Sequence, residues 1–236
     1  DVESFVRNAA KSAIADAMKA AVEDTSLSPT EKRAAAKAAL ASSLGKASVD
    51  DTSFELFKSR GAENAVEDSM KGCMSAASLE TDAVKRKEKE NRCVTETAKA
   101  SLMSSTGSVN VSLADVNVFV SRAGRNSAVN SRKNCVAAAG TNQTKRDACL
   151  EDRTELKNTV RTVSGLQSVT DALAEAFVLR GAFGKVSELS VSCVSIAGGD
   201  GAKLKLCRDD ADIAIGNFLG KTVIRKKHWC LPLRIT

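Results

Sequence analysis

The chain has 236 residues, with 35 Lys and Arg against 29 Asp and Glu (formal charge +6), no Tyr, two Pro and only 3% aromatic residues. That length can bury a real core as one domain or two. No apolar run is long enough to span a bilayer, which excludes a transmembrane helix. The basic excess lies in residues 221–236, so the preceding body, with 30 basic against 29 acidic residues, is excluded as an electrostatic surface for nucleic acid.

Residues 1–50 form the first predicted unit. It opens with Asp1-Val2-Glu3, where no initiator Met or leader stands, which reads as a processed chain or as part of a longer one. A helix through FVRNAA from Phe5 reverses at Thr25-Ser26-Leu27-Ser28-Pro29. Pro29-Thr30-Glu31 suits the opening of a second helix, where Pro needs no amide donor. Residues 51–112 form the second unit, with FKSRGA from Phe57, Cys73 and Cys93, and between them the run Lys85-Arg86-Lys87-Glu88-Lys89-Glu90. The mixed signs of that run predict an exposed helical extension.

The third unit spans residues 113–170, with FVSRAG from Phe119, a reversal at Gly140-Thr141-Asn142, and Cys135 and Cys149 on either side of it. The alternation from Val109 to Val120 reads locally as a strand, but it competes with the helix start that the repeat demands. The repeat is followed here. The fourth unit spans residues 171–220. Leu179, Ala182, Val186, Leu189, Cys193 and Ile196 share one helical stripe, and Leu204, Cys207, Ala211, Ala214 and Phe218 another. Gly198-Gly199-Asp200-Gly201 between them suits a tight reversal.

The four units are versions of one another. Sixteen residues after Phe5, Phe57, Phe119 and Phe177 stand Ala21, Cys73, Cys135 and Cys193. Gly45, Gly107 and Gly165 each stand twelve residues before the next of these Phe residues and mark the joints. Asp1, Asp115 and Asp171 suit an N-cap or a carboxylate near the positive end of a helix. An internal repeat of this size means stacked supersecondary units. The fold class expected is therefore all-α, a tandem array of four helical hairpins.

Folding each hairpin at its turn brings its cysteines to similar heights, which predicts three disulfides, Cys73–Cys93, Cys135–Cys149 and Cys193–Cys207. The first unit lacks both members of the pair, with Ala21 at one position and Ala35 or Ala36 at the other. A covalent pair requires such joint loss and independent thiols do not. Zinc is disfavoured, since structural sites want short Cys pairs. Disulfides imply an oxidising setting, extracellular or on a virion.

The tail at 221–236 lies outside the repeat. Lys221, Arg225, Lys226, Lys227, His228, Trp229, Cys230 and Arg234 concentrate charge, the lone His, the lone Trp and the unpaired Cys. They are the expected partner contacts, since Trp and Arg are common interface anchors and a leftover Cys can bond to a second chain. Alternatively Trp229 folds back to cap the last hairpin. His228 and Cys230 lack a third group to orient an imidazole, and Gly198–Lys203 lacks the spacing of a phosphate loop. No catalytic residue, cofactor or metal is expected. Asn110 and Asn142 match the glycosylation acceptor pattern. Arg60, Arg122 and Arg180, each three residues after a Phe, recur near the joints, with internal ion pairing the default and a ladder for a partner the alternative.

The cysteine-framed segments CVAAAGTNQTKRDAC and CVSIAGGDGAKLKLC, set in tandem Ala- and Ser-rich helical units, resemble repeats in structural proteins of large algal DNA viruses. That resemblance implies a non-enzymatic minor capsid or cement component with capsid proteins as partners. The repeats themselves point to a scaffold that bridges neighbouring proteins. Two other readings stay open: a secreted or surface-exposed disulfide-stabilised binding module, and a nucleic-acid accessory protein acting through the tail.

Overall fold

The structure is a computed structural model and describes residues 2–24, 26–197 and 200–219. The chain is all-α, and no strand occurs among the described residues. Four helical hairpins follow one another. The first pairs α1 (Val2–Glu23) with α2 (Pro29–Ser43). In the second, α3 (Asp51–Ser78) is answered by α4 (Ala83–Arg92), one π-helical stretch (Cys93–Ala98) and α5 (Lys99–Thr106). The third sets α6 (Leu113–Ala139) against α7 (Gln143–Glu151) and α8 (Thr154–Ser164). The fourth pairs α9 (Asp171–Ala197) with α10 (Gly201–Leu219).

The joints share one backbone solution. Gly45, Gly107 and Gly165 have φ of 64°, 70° and 68°, the left-handed conformation in which a β-carbon is strained and glycine is not. The helix starts use short side chains. Pro29 opens α2 behind a capping box in which Ser28 accepts from the Glu31 amide and Glu31 accepts from the Ser28 amide. Asp50 caps α3, accepting from the Ser53 amide at 2.8 Å. Asp115 lies third in a capping box headed by Ser112, and Thr170 Oγ1 accepts from the Leu173 amide at 3.2 Å. Asp171 is the first residue of α9 and pairs with Lys157 at 2.9 Å. The 109–120 stretch resolves as the register required: α6 starts at Leu113, and Val111 tucks into the core with 8% exposure while Val109 stays outside.

Packing runs strictly between neighbours. The first arms α1, α3, α6 and α9 lie against one another in succession. Each later second arm also reaches back to the preceding first arm: α5 to α1, α8 to α3, α10 to α6. All substantial helix contacts fall within a unit or between consecutive units, the pattern of a solenoid. The core is accordingly three clusters, each straddling a joint. Ile14, Met18 and Leu40 meet Phe54; Val66, Met70 and Leu102 meet Val116 and Val163; Val129, Leu156 and Val160 meet Phe177 and Val178.

Successive first arms approach through glycine. A β-carbon on Gly61 would stand 2.8 Å from the Lys11 carbonyl oxygen, and one on Gly181 would stand 2.4 Å from that of Arg125. Gly61 and Gly181 each follow their unit's Phe by four residues, and Lys11 and Arg125 follow theirs by six. The same crossing point therefore recurs along the stack, close enough for backbone to touch backbone.

The three disulfides form as the spacing required, with Cα–Cα distances of 5.6 Å for Cys73–Cys93 and 5.7 Å for Cys135–Cys149 and Cys193–Cys207. Of the α9 stripe, Ala182 and Val186 are buried, but Leu179 is 43% exposed. The side chains of Leu189 and Ile196 lie outside the description. Two second arms are less regular than a simple hairpin: α4, exposed apart from Glu90, runs into the π-helical stretch, and Asp152-Arg153 separates α7 from α8.

Candidate functional site

The recurring arginines are positioned by the first-arm crossings. Where α6 crosses α3, Arg60 donates to Glu63 at 2.6 Å, Asn126 Nδ2 donates to the same carboxylate at 3.0 Å, and Arg122 approaches to 3.7 Å. Glu63 is 1% exposed. A carboxylate that deep is tolerable because cations and an amide converge on it. Thus Arg60 and Arg122 take the internal pairing expected of them.

Arg180 does not. Where α9 crosses α6, the position equivalent to Glu63 is Arg125. Arg125 Nη2 donates to Ser121 Oγ at 3.3 Å, while its Nε is buried with no hydrogen-bond partner among the described residues. Burial lowers the pKa of Arg125 from its usual value, and the cations Arg180 and Arg122 lower it further, with distant Glu63 in partial opposition. Arg180 itself is exposed, with no acidic partner among the described residues. The sequence signal that would have found Glu63 and Arg125 is the sixth residue after each Phe: Lys11, Glu63, Arg125, Phe183.

A second charged cluster ties the third unit to the fourth. Arg132, with its side chain 5% exposed, donates to Glu175 at 2.6 Å, and Arg153 from the α7–α8 break donates to the same oxygen at 3.0 Å. Desolvation pushes the Glu175 carboxyl up, but the two guanidiniums outweigh it and hold the group below the ordinary carboxylate range.

Two surfaces are open. A groove of about 690 Å³ lies between α1, α3 and the π-helical stretch with α5, lined by Asp16, Lys19, Ser69, Glu96, Thr97 and Ser101. At the last unit, the α9 face that a following first arm would cover presents Leu179 and Phe183, the latter 38% exposed.

Asp200 Oδ1 accepts from the Ala202 amide at 2.9 Å, so the Asp200–Lys203 turn is a helix start. Asn110 and Asn142 are exposed, and Asn142 Oδ1 accepts from the Lys145 amide at 3.0 Å as the cap of α7. Lys221, Arg225, Lys226, Lys227, His228, Trp229, Cys230 and Arg234 lie outside the described residues. Among the described residues no cluster of His, Cys, Asp and Glu is arranged to hold a metal ion. No described helix is long and apolar enough to cross a membrane. Three intramolecular disulfides are the chemistry of an oxidising environment. No family model, no curated protein and no solved structure matches the chain.

Proposed function

We propose that this protein is a non-enzymatic structural component that bridges neighbouring proteins of a larger assembly, in the setting the algal-virus resemblance implies: a minor capsid protein of a virion. The observation that carries the reading is the solenoid itself. Four units joined by like glycine turns spread their outer faces along a line, and extended faces suit contact with several neighbours. The disulfides support the reading, because they hold the hairpins without a partner once the particle has left a reducing cell. The tail from Lys221, with Trp229 and Cys230, is the proposed contact arm.

The test is purification of the native assembly without reductant, followed by quantitative peptide mapping. Fixed stoichiometry with the coat proteins, and a Cys230-linked peptide from a second chain, are expected. A freely soluble monomer that never enriches with particles would reject the reading. The exposed acceptor at Asn142 favours one alternative, a secreted binding module. A mass shift on enzymatic deglycosylation would support that alternative.

A further inference from the structure

The stack uses one crossing three times with different charges. At the α3–α6 crossing, Arg122 arrives over Glu63, which neutralises it together with Arg60. At the α6–α9 crossing, where Gly181 meets the Arg125 carbonyl, Arg180 holds the register position of Arg122 and Arg125 that of Glu63. Arg125 holds one long hydrogen bond, to Ser121 at 3.3 Å, and a buried Nε without a partner. A buried cationic donor left unmade is costly, and one guanidinium beside another compounds the cost. The second crossing shows what resolves it: a carboxylate.

We propose that Arg125 and Arg180 form a binding site for an acidic side chain of a partner protein, whose carboxylate neutralises the arginines of the α6–α9 crossing as Glu63 neutralises Arg60 and Arg122 at α3–α6. The partner chemistry follows from what surrounds the site. Residues 221–236 carry five basic residues and no acidic side chain, so an acidic side chain for the site comes from outside that segment. Leu179 and Phe183 are partly exposed on the same helix as Arg180, so apolar surface accompanies the charged contact. A planar guanidinium pair suits bidentate carboxylate recognition. This deepens the scaffold reading and rests on it, by naming the chemistry of one neighbour.

The test follows the Arg Nε–Hε resonances of the full chain, with its disulfides intact, through titrations with a hexaglutamate peptide, inorganic phosphate and a thymidine hexanucleotide. Hexaglutamate is expected to shift Arg125 and Arg180 saturably, and Arg180→Ala, an exposed change, to weaken it by about tenfold. Arg125→Glu recreates the Glu63 arrangement. It is expected to abolish peptide binding while the melting temperature holds or rises. Absence of any shift with hexaglutamate would overturn the proposal. So would shifts with the phosphate-bearing probes alone, or undiminished peptide binding by Arg180→Ala. Failure here with particle stoichiometry intact would remove this site and leave the scaffold reading standing.

Discussion

The first and third hairpins hold their second arms by opposite means. In the first, α2 buries Ala36, Leu40 and Ala41 against Ile14, Met18 and Phe54, and has no sulfur. The cysteine positions there carry Ala21, 5% exposed, and Ala35 or Ala36, of which Ala36 is buried and Ala35 exposed. In the third, α7 buries no residue at all, and the Cys135–Cys149 bond fastens it to α6. A short polar helix whose only half-buried apolar residues are Cys149 and Leu150 has little hydrophobic reason to stay down. The contrast teaches that the disulfide belongs where burial fails, and is dispensable where a leucine and two alanines do the same job.

The largest expected effect would break the comparison on the burial side. Leu40→Ala is expected to cost about 2–5 kcal/mol by denaturant unfolding, as a large-to-small change in a closed core does. A cost near zero would mean that something other than burial holds α2. On the sulfur side, replacing Cys135 and Cys149 together by Ala is expected to cost up to about 3 kcal/mol, the chain-entropy value for a loop of this length. Hydrogen exchange sharpens the claim: amides of α7 should lose protection while those of α8, anchored by Leu156, Val160 and Val163, keep theirs. Equal loss in both would show the two helices to be one unit.

Smaller effects separate caps from cores. Ser28→Ala removes the capping box of α2 and should cost about 1 kcal/mol, readable as a shift in denaturant midpoint. The smallest is a pH dependence shared by both hairpins. Glu31 and Asp115 are held below the ordinary carboxylate range by the Ser28 and Ser112 hydroxyls and, less, by the backbone amides of the same serines. With folded-state values below the unfolded ones, each contributes stability that is whole above the unfolded carboxylate value of about 4 and is lost as pH falls through the folded-state value. Melting temperature should therefore fall on acidification from pH 5 to pH 3, less steeply in Ser28→Ala. An unchanged slope would mean that the Ser28–Glu31 contact contributes nothing.

What could be read from the sequence was whatever a fixed helical length enforces. Equal Phe-to-Cys offsets located the disulfides, and the glycines twelve residues before each Phe located the joints, because both lie at set distances along one helix. Less legible was anything that depends on which face a neighbour covers. Leu179 shares a stripe with Ala182 and Val186, yet it is 43% exposed where they are buried. Glu63 and Arg125 stand out only once the stack puts both at crossings. The break at Asp152-Arg153 is hidden because its purpose is tertiary: Arg153 leaves the helix to reach Glu175.

The placement of the clips bears on how the molecule would respond to being pulled. Each disulfide joins cysteines 20 positions apart in the second unit and 14 apart in the third and fourth, and takes the chain between them out of the path that transmits tension. Those hairpins can tilt or separate, yet their tips cannot pay out as slack. The first unit has no such limit, so a load along the chain would lengthen that end first while the rest yields as short, stiff links.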